Sequence, residues 1–517
     1  MTGEGVDGAA ALAGWLGGLD RASLAHVLAH RPDALLAPEP RSIRELAERL
    51  GRPDSLGAAL WRLPLPCLQI SETIQALGGR ATKSDLASLL ADGSPTHESD
   101  LTGWFQVLTD HAIAWPAGDG VIATPEALGV LFPSPLGLGP ALRTLLAEVG
   151  VDQLRRVLKT IGVAKPPTRR VDVVEQLLEV FTVAETVRGI VATAPKAISQ
   201  ELFAWADERG ADGYDDNPYD DDPDDELEIY ARSYDPAAYQ RRSAAAEWAS
   251  ERGLVYSRSW SYDWRMPAEI GRALRGPDYR APFAPEAVPV EVAAVAETEL
   301  ASHASAAVGR FADLVLTVVD RLARSALATL KSGGVGAREL AKLAKALGCT
   351  DTEVRLGLEL LAASGVIERR DGLYGLSEQA EQWRSGLPAD RVAALLASWW
   401  RLPYAATHSR DGDGKVRPAL KPDACVACLI ARQNLLETMA ELAPSGSAPP
   451  GQLAARALWR RPFVHVLVDD RDVPFGSTLA EATMLGVVAS GALTPLGRAL
   501  IAGQGGTVHD LLTAMLP

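Results

Sequence analysis

Apolar residues recur three and four positions apart along much of the chain, and the recurrences stop at glycine, proline and serine or threonine. Leu340, Leu343, Ala344 and Leu347 fall on one helical face, and Val354, Leu358, Leu361 and Ala362 on the next, which predicts helices over 337–347 and 352–364. Thr350 or Asp351 supplies the N-cap between them. The period then shortens: GVIERRDGLYGLSEQAEQW (365–383) sets apolar positions on either side of Asp371-Gly372, the signature of a hairpin, with a serine opening the next helix. The same order occurs upstream, with helices over 83–90 and 98–109 followed by AIAWPAGDGVIATPEAL (112–128) and its turn Gly118-Asp119-Gly120. A third hairpin is expected in GVVASGALTPLGRAL (486–500), so the pattern is an internal echo. The segment SIRELAERLG (42–51) and residues 55–63 form a further helix pair, with Ile43, Leu46, Ala47 and Leu50 as its buried stripe; lacking a hairpin, it is expected to pack against the first module.

Helix, turn, helix, hairpin is the order of a winged helix, and the expected fold class is therefore mainly α with multiple winged-helix-like modules. Composition agrees: 47% of residues are hydrophobic but only 6% aromatic, with alanine and leucine dominant, which favours packed helices. At 517 residues the chain exceeds one ordinary core. The expected division is an N-terminal helical and winged-helix-like module (1–135), a helical module (136–209), an acidic linker (210–230), a mixed connecting segment (231–300), a winged-helix module (301–385) and a C-terminal helical and winged-helix-like module (386–517). Pro-rich GPDYRAPFAPEAVPVE (276–291) and polar HSRDGDGKVRPALKPD (408–423) read as loops.

Charge complicates the choice of partner. The net charge of −15 argues against nucleic acid, yet ten of the negative charges, Asp212, Asp215, Asp216, Asp220, Asp221, Asp222, Asp224, Asp225, Glu226 and Glu228, crowd into GADGYDDNPYDDDPDDE and the residues just after it. The rest of the chain is only modestly acidic, so local basic patches remain. The clearest is VDQLRRVLKTIGVAKPPTRRVDVVEQLLEVF (151–181), where helices over 154–161 and 171–181 flank a basic loop. It resembles the SAP motif, a helix–loop–helix that contacts DNA backbones. Leu154, Val157, Leu158, Val174, Leu177 and Leu178 are its expected packing positions, and Arg155, Arg156, Lys159, Lys165, Arg169 and Arg170 its phosphate contacts. In the 337–376 module the second helix is the expected DNA reader and carries Arg355 beside Glu353 and Glu359. Further cations sit on the preceding helix, Arg338, Lys342 and Lys345, and on the hairpin, Arg369 and Arg370, so backbone contact is favoured over base reading. Winged helices also dock proteins, and the same charges serve equally as a solvated face.

Catalytic and metal chemistry finds little support. The four cysteines, Cys67, Cys349, Cys425 and Cys428, are too few to staple such a chain, so free thiols in a reducing compartment are expected. Cys425-Val426-Ala427-Cys428 has the spacing of half a zinc site or a redox pair, but no second pair exists and two small buried thiols are the simpler expectation. FVHVLVDD (463–470) imitates a magnesium-binding strand without any GxxxxGK[ST] loop to cradle phosphates. The clustered aspartates lack EF-hand order, His111 and His465 stand alone, and no nucleophile elbow or HExxH pair occurs. No cofactor or metal is expected, and no enzyme. The N-terminus opens with Glu4 and Asp7 in place of a basic leader and no apolar run is long enough to span a bilayer, so a cytoplasmic protein without membrane or small-molecule partners is expected.

Several stretches together resemble the amino-terminal arm of the actinobacterial helicase-associated proteins. They are AGWLGGLDRASLAHVLAHRPDALLAPEPRSIRELAERL (13–50), LPLPCLQISETIQALGG (63–79), the SAP-like segment, WASERGLVYSRSW followed by RMPAEIGRALRG (248–276), GVGARELAKLAKALG (334–348) and ASWWRLP (397–403), in the family's order. The chain departs from the pattern in two respects. The later portion, similar to a conserved domain of XPB-type helicases, is expected after the segment that here ends in LLTAMLP, and the insert at 212–228 is unusual. The resemblance implies a motorless accessory role beside DNA in repair or transcription, with a helicase as a possible protein partner. The rival expectation is a protein-interaction scaffold of tandem winged helices that does not bind DNA.

Overall fold

In the computed structural model, residues 5–90, 95–207, 236–257, 264–407, 416–421, 425–463 and 475–516 are described. They are mainly helical, as expected, with strands of only two to four residues. Met1–Pro285 and Glu286–Pro517 form two compact units. The acidic segment 210–226 lies outside the described residues, as does FVHVLVDD apart from Phe463. Among the described residues no helix is long and apolar enough to cross a membrane.

In the first unit the helices Ile43–Leu50 and Pro53–Leu60 follow the predicted stripe, with Leu46, Ala47 and Leu50 buried. These three share a core with Ala112, Trp115 and Ala123 of the first hairpin, so the wingless pair does pack against that module. Arg31 ties the arrangement together. Its buried guanidinium donates to the His111 and Leu50 carbonyls at 2.9 and 3.1 Å and pairs with Asp33 at 3.2 Å. A second core joins helices Leu142–Ala147, Val151–Thr160, Arg170–Thr182, Ala184–Ala192, Lys196–Asp207, Pro236–Ser250 and Ala268–Arg275. The two SAP-like helices are thus part of a larger helical body. Leu154, Val157, Leu158 and Leu177 are buried as expected, but Val173 and Phe181 take the inner positions assigned to Val174 and Leu178, which lie at the edge. The second helix is apolar on too many sides for spacing to choose its inner face.

The second unit is organised around the 28-residue helix Glu297–Arg324, which packs against helix Asp351–Ala363; that helix in turn packs against Pro388–Arg401. Thr350 is the N-cap, in a capping box with Glu353. Helix Val426–Ala440 carries Arg432, which is 0% exposed; it donates to the Trp399 and Leu402 carbonyls at 2.9 and 2.7 Å and lies 3.8 Å from the equally buried Glu481. Glu481 is held by Trp399 Nε1 at 2.7 Å and the Thr407 amide at 2.8 Å. The expectation of four free thiols needs correction: Cys67 and Cys349 are free, whereas Cys425 and Cys428 are joined in a disulfide.

The three echoes share more than sequence suggested. Each has a short strand before its two helices, and that strand pairs antiparallel with the last strand of the hairpin: Arg80–Thr82 with Val121–Ala123, Leu327–Ala328 with Leu373–Leu376, and Gly446–Ser447 with Ala492–Leu493. The third copy, expected only as a hairpin, also has two preceding helices among the described residues, Pro450–Arg460 and Phe475–Met484. Each second helix ends with a long-reaching backbone bond into the hairpin, Ile113 N to Leu108 O, Val366 N to Leu361 O and Val487 N to Ala482 O, at 2.9–3.0 Å. The turns Asp371-Gly372 and Ser490-Gly491 place both central residues at positive φ, the geometry whose twist matches paired strands. Leading strands of two or three residues are too short to show alternation, which is why the sequence pattern does not reveal them.

Candidate nucleic-acid interface

The basic segment of the first unit is built on helix Val151–Thr160, the turn at Gly162 with φ +101°, and helix Arg170–Thr182. Arg156 and Lys159 are three residues apart and lie on one exposed side, since Leu154, Val157 and Leu158 occupy the inner side. Lys165 and Arg169 are exposed in the loop that follows. Among the described residues none of these four cations makes an ion pair, and Asp152 and Glu175 do not neutralise them: Glu175 is taken by Arg143 at 3.0 Å. The helix is held in place from behind by Gly253, whose φ of +72° and bare Cα let the 251–254 turn sit against it; a Cβ there would fall 2.6 Å from Val157 Cγ1.

Two of the six expected contacts in this segment are not free exposed cations. Arg170 donates to the carbonyls of Val149, Leu146 and Ala147 at 2.6, 2.7 and 2.9 Å and so caps the end of helix Leu142–Ala147. Arg155 is half-buried, with its Nε enclosed and without a hydrogen-bond partner.

In the second unit the expected reader helix is the clearest correction. Residues 354–361 of Asp351–Ala363 are buried without interruption, enclosed by the packing described above, so this helix cannot enter a DNA groove as the unit stands. Arg355 is 4% exposed and donates to the carbonyls of Arg417 and Pro418; it is not a surface cation. Burial lowers its pKa, opposed by the charges of Glu359 and Asp351. Glu359, one turn on, accepts from the Leu420 amide at 2.6 Å and the Tyr404 hydroxyl at 2.9 Å, and burial raises its pKa. The pair therefore anchors residues 416–421 inside the unit. Arg338, Lys345 and Arg369 are exposed without an ion-pair partner among the described residues, whereas Lys342 lies 3.8 Å from Glu339, and Arg370 bridges Glu368 and Glu378 at 2.7 and 3.5 Å.

Sequence reasoning missed the structural duties of Arg31, Arg170, Arg355 and Arg432. A signal existed for Arg355 alone: in VRLGLELLA the only other polar side chain is Glu359, four residues on, and a charge on a helix apolar all round has to be buried with partners, whereas LIARQNLLE carries Gln433, Asn434 and Glu437 beside Arg432. Among the described residues no group of three or more His, Cys, Asp or Glu side chains is arranged to hold a metal ion. No protein-family model, curated protein or solved structure matches the chain.

Proposed function

We propose that the protein is a non-catalytic, cytoplasmic DNA-binding accessory protein of the helicase-associated type, acting beside repair or transcription, in which the SAP-like pair of the first unit grips backbone phosphates. The observation that carries this is the set Arg156, Lys159, Lys165 and Arg169: four exposed cations on one helix–loop segment, none neutralised among the described residues. Cations that are already free of carboxylates can displace counterions from a phosphate backbone without first breaking an ion pair. Arg338, Lys345 and Arg369 form a secondary set in the second unit. The shared order of helix, strand, helix, helix and hairpin, with the leading strand on the hairpin, supports reading the three echoes as winged-helix modules. Enclosure of helix Asp351–Ala363 supports backbone contact over base recognition.

A second reading, a scaffold that docks proteins through its winged modules, is favoured by the carboxylate neutralisation of Lys342 and Arg370. Fluorescence anisotropy with labelled duplex and single-stranded DNA separates the two. Arg156→Glu/Lys159→Glu/Arg169→Glu should abolish binding, while Arg338→Glu/Lys345→Glu/Arg369→Glu should weaken it less. Absence of binding by the intact protein at low salt would leave the scaffold reading.

A further inference from the structure

The disulfide in the second unit is placed where a reactive pair would be placed. Cys425 is the N-cap residue of the 15-residue helix Val426–Ala440, and Cys428 stands three residues on, in its first turn. The Cys428 backbone N–H donates to Cys425 Sγ at 3.1 Å. That end of a helix carries unsatisfied N–H groups and partial positive charge, both of which favour a thiolate over a thiol. The two residues differ in exposure: Cys425, at the edge of the core, is half-buried, whereas Cys428 is 7% exposed.

A staple is a poor explanation for this bond. Stabilisation by a disulfide grows with the length of chain it closes, and this one closes the shortest of loops within a helix turn that hydrogen bonds already fix. The remaining cysteines make the contrast. Cys67 is buried with its thiol donating to the Trp104 carbonyl, and burial pushes its pKa far up. Cys349 is raised by burial and by the nearby Glu353 and Asp351. Neither has a sulfur partner, and neither is suited to nucleophilic exchange.

We propose that Cys425–Cys428 is a reversible dithiol–disulfide site that exchanges with a small-molecule thiol, Cys425 being the exchanging sulfur and Cys428 its resolving partner. In the reducing direction the thiolate of the small thiol attacks Cys425 Sγ. The Cys425–Cys428 bond breaks, and Cys428 leaves as a thiolate that takes up a proton. A second thiolate attacks the outer sulfur of the mixed disulfide, releasing the oxidised small thiol and leaving Cys425 as a thiolate at the helix N-terminus. Two thiols are oxidised and one protein disulfide is reduced, a two-electron balance; the oxidised small thiol drives the reverse.

The test equilibrates the full-length protein with reduced and oxidised glutathione at graded ratios, quenches with acid, alkylates and weighs the peptides. The pair should pass between disulfide and dithiol in a single two-electron transition while the protein stays folded, with Cys67 and Cys349 unmodified. Oxidised glutathione should form a mixed disulfide on Cys425 in Cys428→Ser on the order of tenfold faster than on Cys428 in Cys425→Ser. A pair that stays oxidised until the protein is unfolded by denaturant is a structural staple, and one that stays reduced at every ratio never closes; either result overturns the proposal. Equal glutathionylation of the two serine variants overturns the assignment of Cys425. The transition in the unsubstituted protein stands as a test even where a serine variant fails to fold.

Discussion

Replacing Arg355 by methionine separates a structural cation from a DNA-binding one. The guanidinium is buried and donates to the carbonyls of Arg417 and Pro418, the latter at 3.3 Å, while Glu359 one turn on is buried against Tyr404 and Leu420. Methionine keeps most of the stem's packing but removes the Arg355 donations to the Arg417 and Pro418 carbonyls and the positive charge that acts on Glu359. Hydrogen bonds to charged groups contribute about 1.5–3 kcal/mol each. Two such bonds are lost, to the carbonyls of Arg417 and Pro418, together with the charge that acts on Glu359. The expected loss is therefore about 3–5 kcal/mol, confined to the second unit. Urea titration followed by hydrogen exchange in peptides from Glu286–Pro517 measures it, with faster exchange expected in 351–363 and 416–421. DNA affinity below the unfolding transition should not change. A loss below about 1 kcal/mol, or a fall in DNA affinity with stability intact, would refute the assignment of Arg355 to the fold.

Three further variants probe the same unit. Arg432→Met leaves Glu481 uncompensated and should destabilise by about 3–5 kcal/mol, whereas Arg432→Met/Glu481→Gln, which removes both charges and keeps an acceptor for Trp399 Nε1 or the Thr407 amide, should recover part of that loss; no recovery in a double-mutant cycle would show that the two side chains act independently. Glu359 has its pKa raised by burial, so the folded state binds its proton more tightly than the unfolded chain does. Stability from this group is fully present below the ordinary glutamate value and falls as pH rises through the raised one. Glu359→Gln should flatten that fall, as read from urea midpoints across mildly acidic to neutral pH, and an unchanged slope would contradict it.

The parts of the fold that spacing revealed are those fixed by local pattern. Helices Ala337–Leu347 and Asp351–Ala363 and the turn Asp371-Gly372 follow from a 3.6-residue stripe, a capping threonine and a dipeptide suited to positive φ. What spacing could not reveal depends on tertiary partners. The inner face of Arg170–Thr182 is set by Gly253 and Val157 meeting Phe181, a neighbourhood supplied by residues far along the chain. Enclosure of helix Asp351–Ala363 follows from Glu297–Arg324 and Pro388–Arg401 closing over it, and an isolated helix–turn–helix pattern carries no trace of that. The candidate interface was legible in part for the same reason. Exposed cations in a loop, such as Lys165 and Arg169, are visible as composition, but Arg170 looks identical to them until the carbonyls it binds are known. The Cys425–Cys428 spacing was legible too; its closure at a helix N-terminus needed the structure.

Phosphate contact by Arg156, Lys159, Lys165 and Arg169, which have no ion-pair partner among the described residues, would make DNA affinity depend on salt. Four contacts predict a slope of log K against log salt of about −3.6, or roughly two orders of magnitude of affinity between about 50 and 200 mM. Arg156→Glu/Lys159→Glu/Arg169→Glu should remove most of that slope together with the binding. An intact protein whose DNA affinity is absent at low salt, or whose slope is the same with and without those three cations, would contradict phosphate contact by this segment.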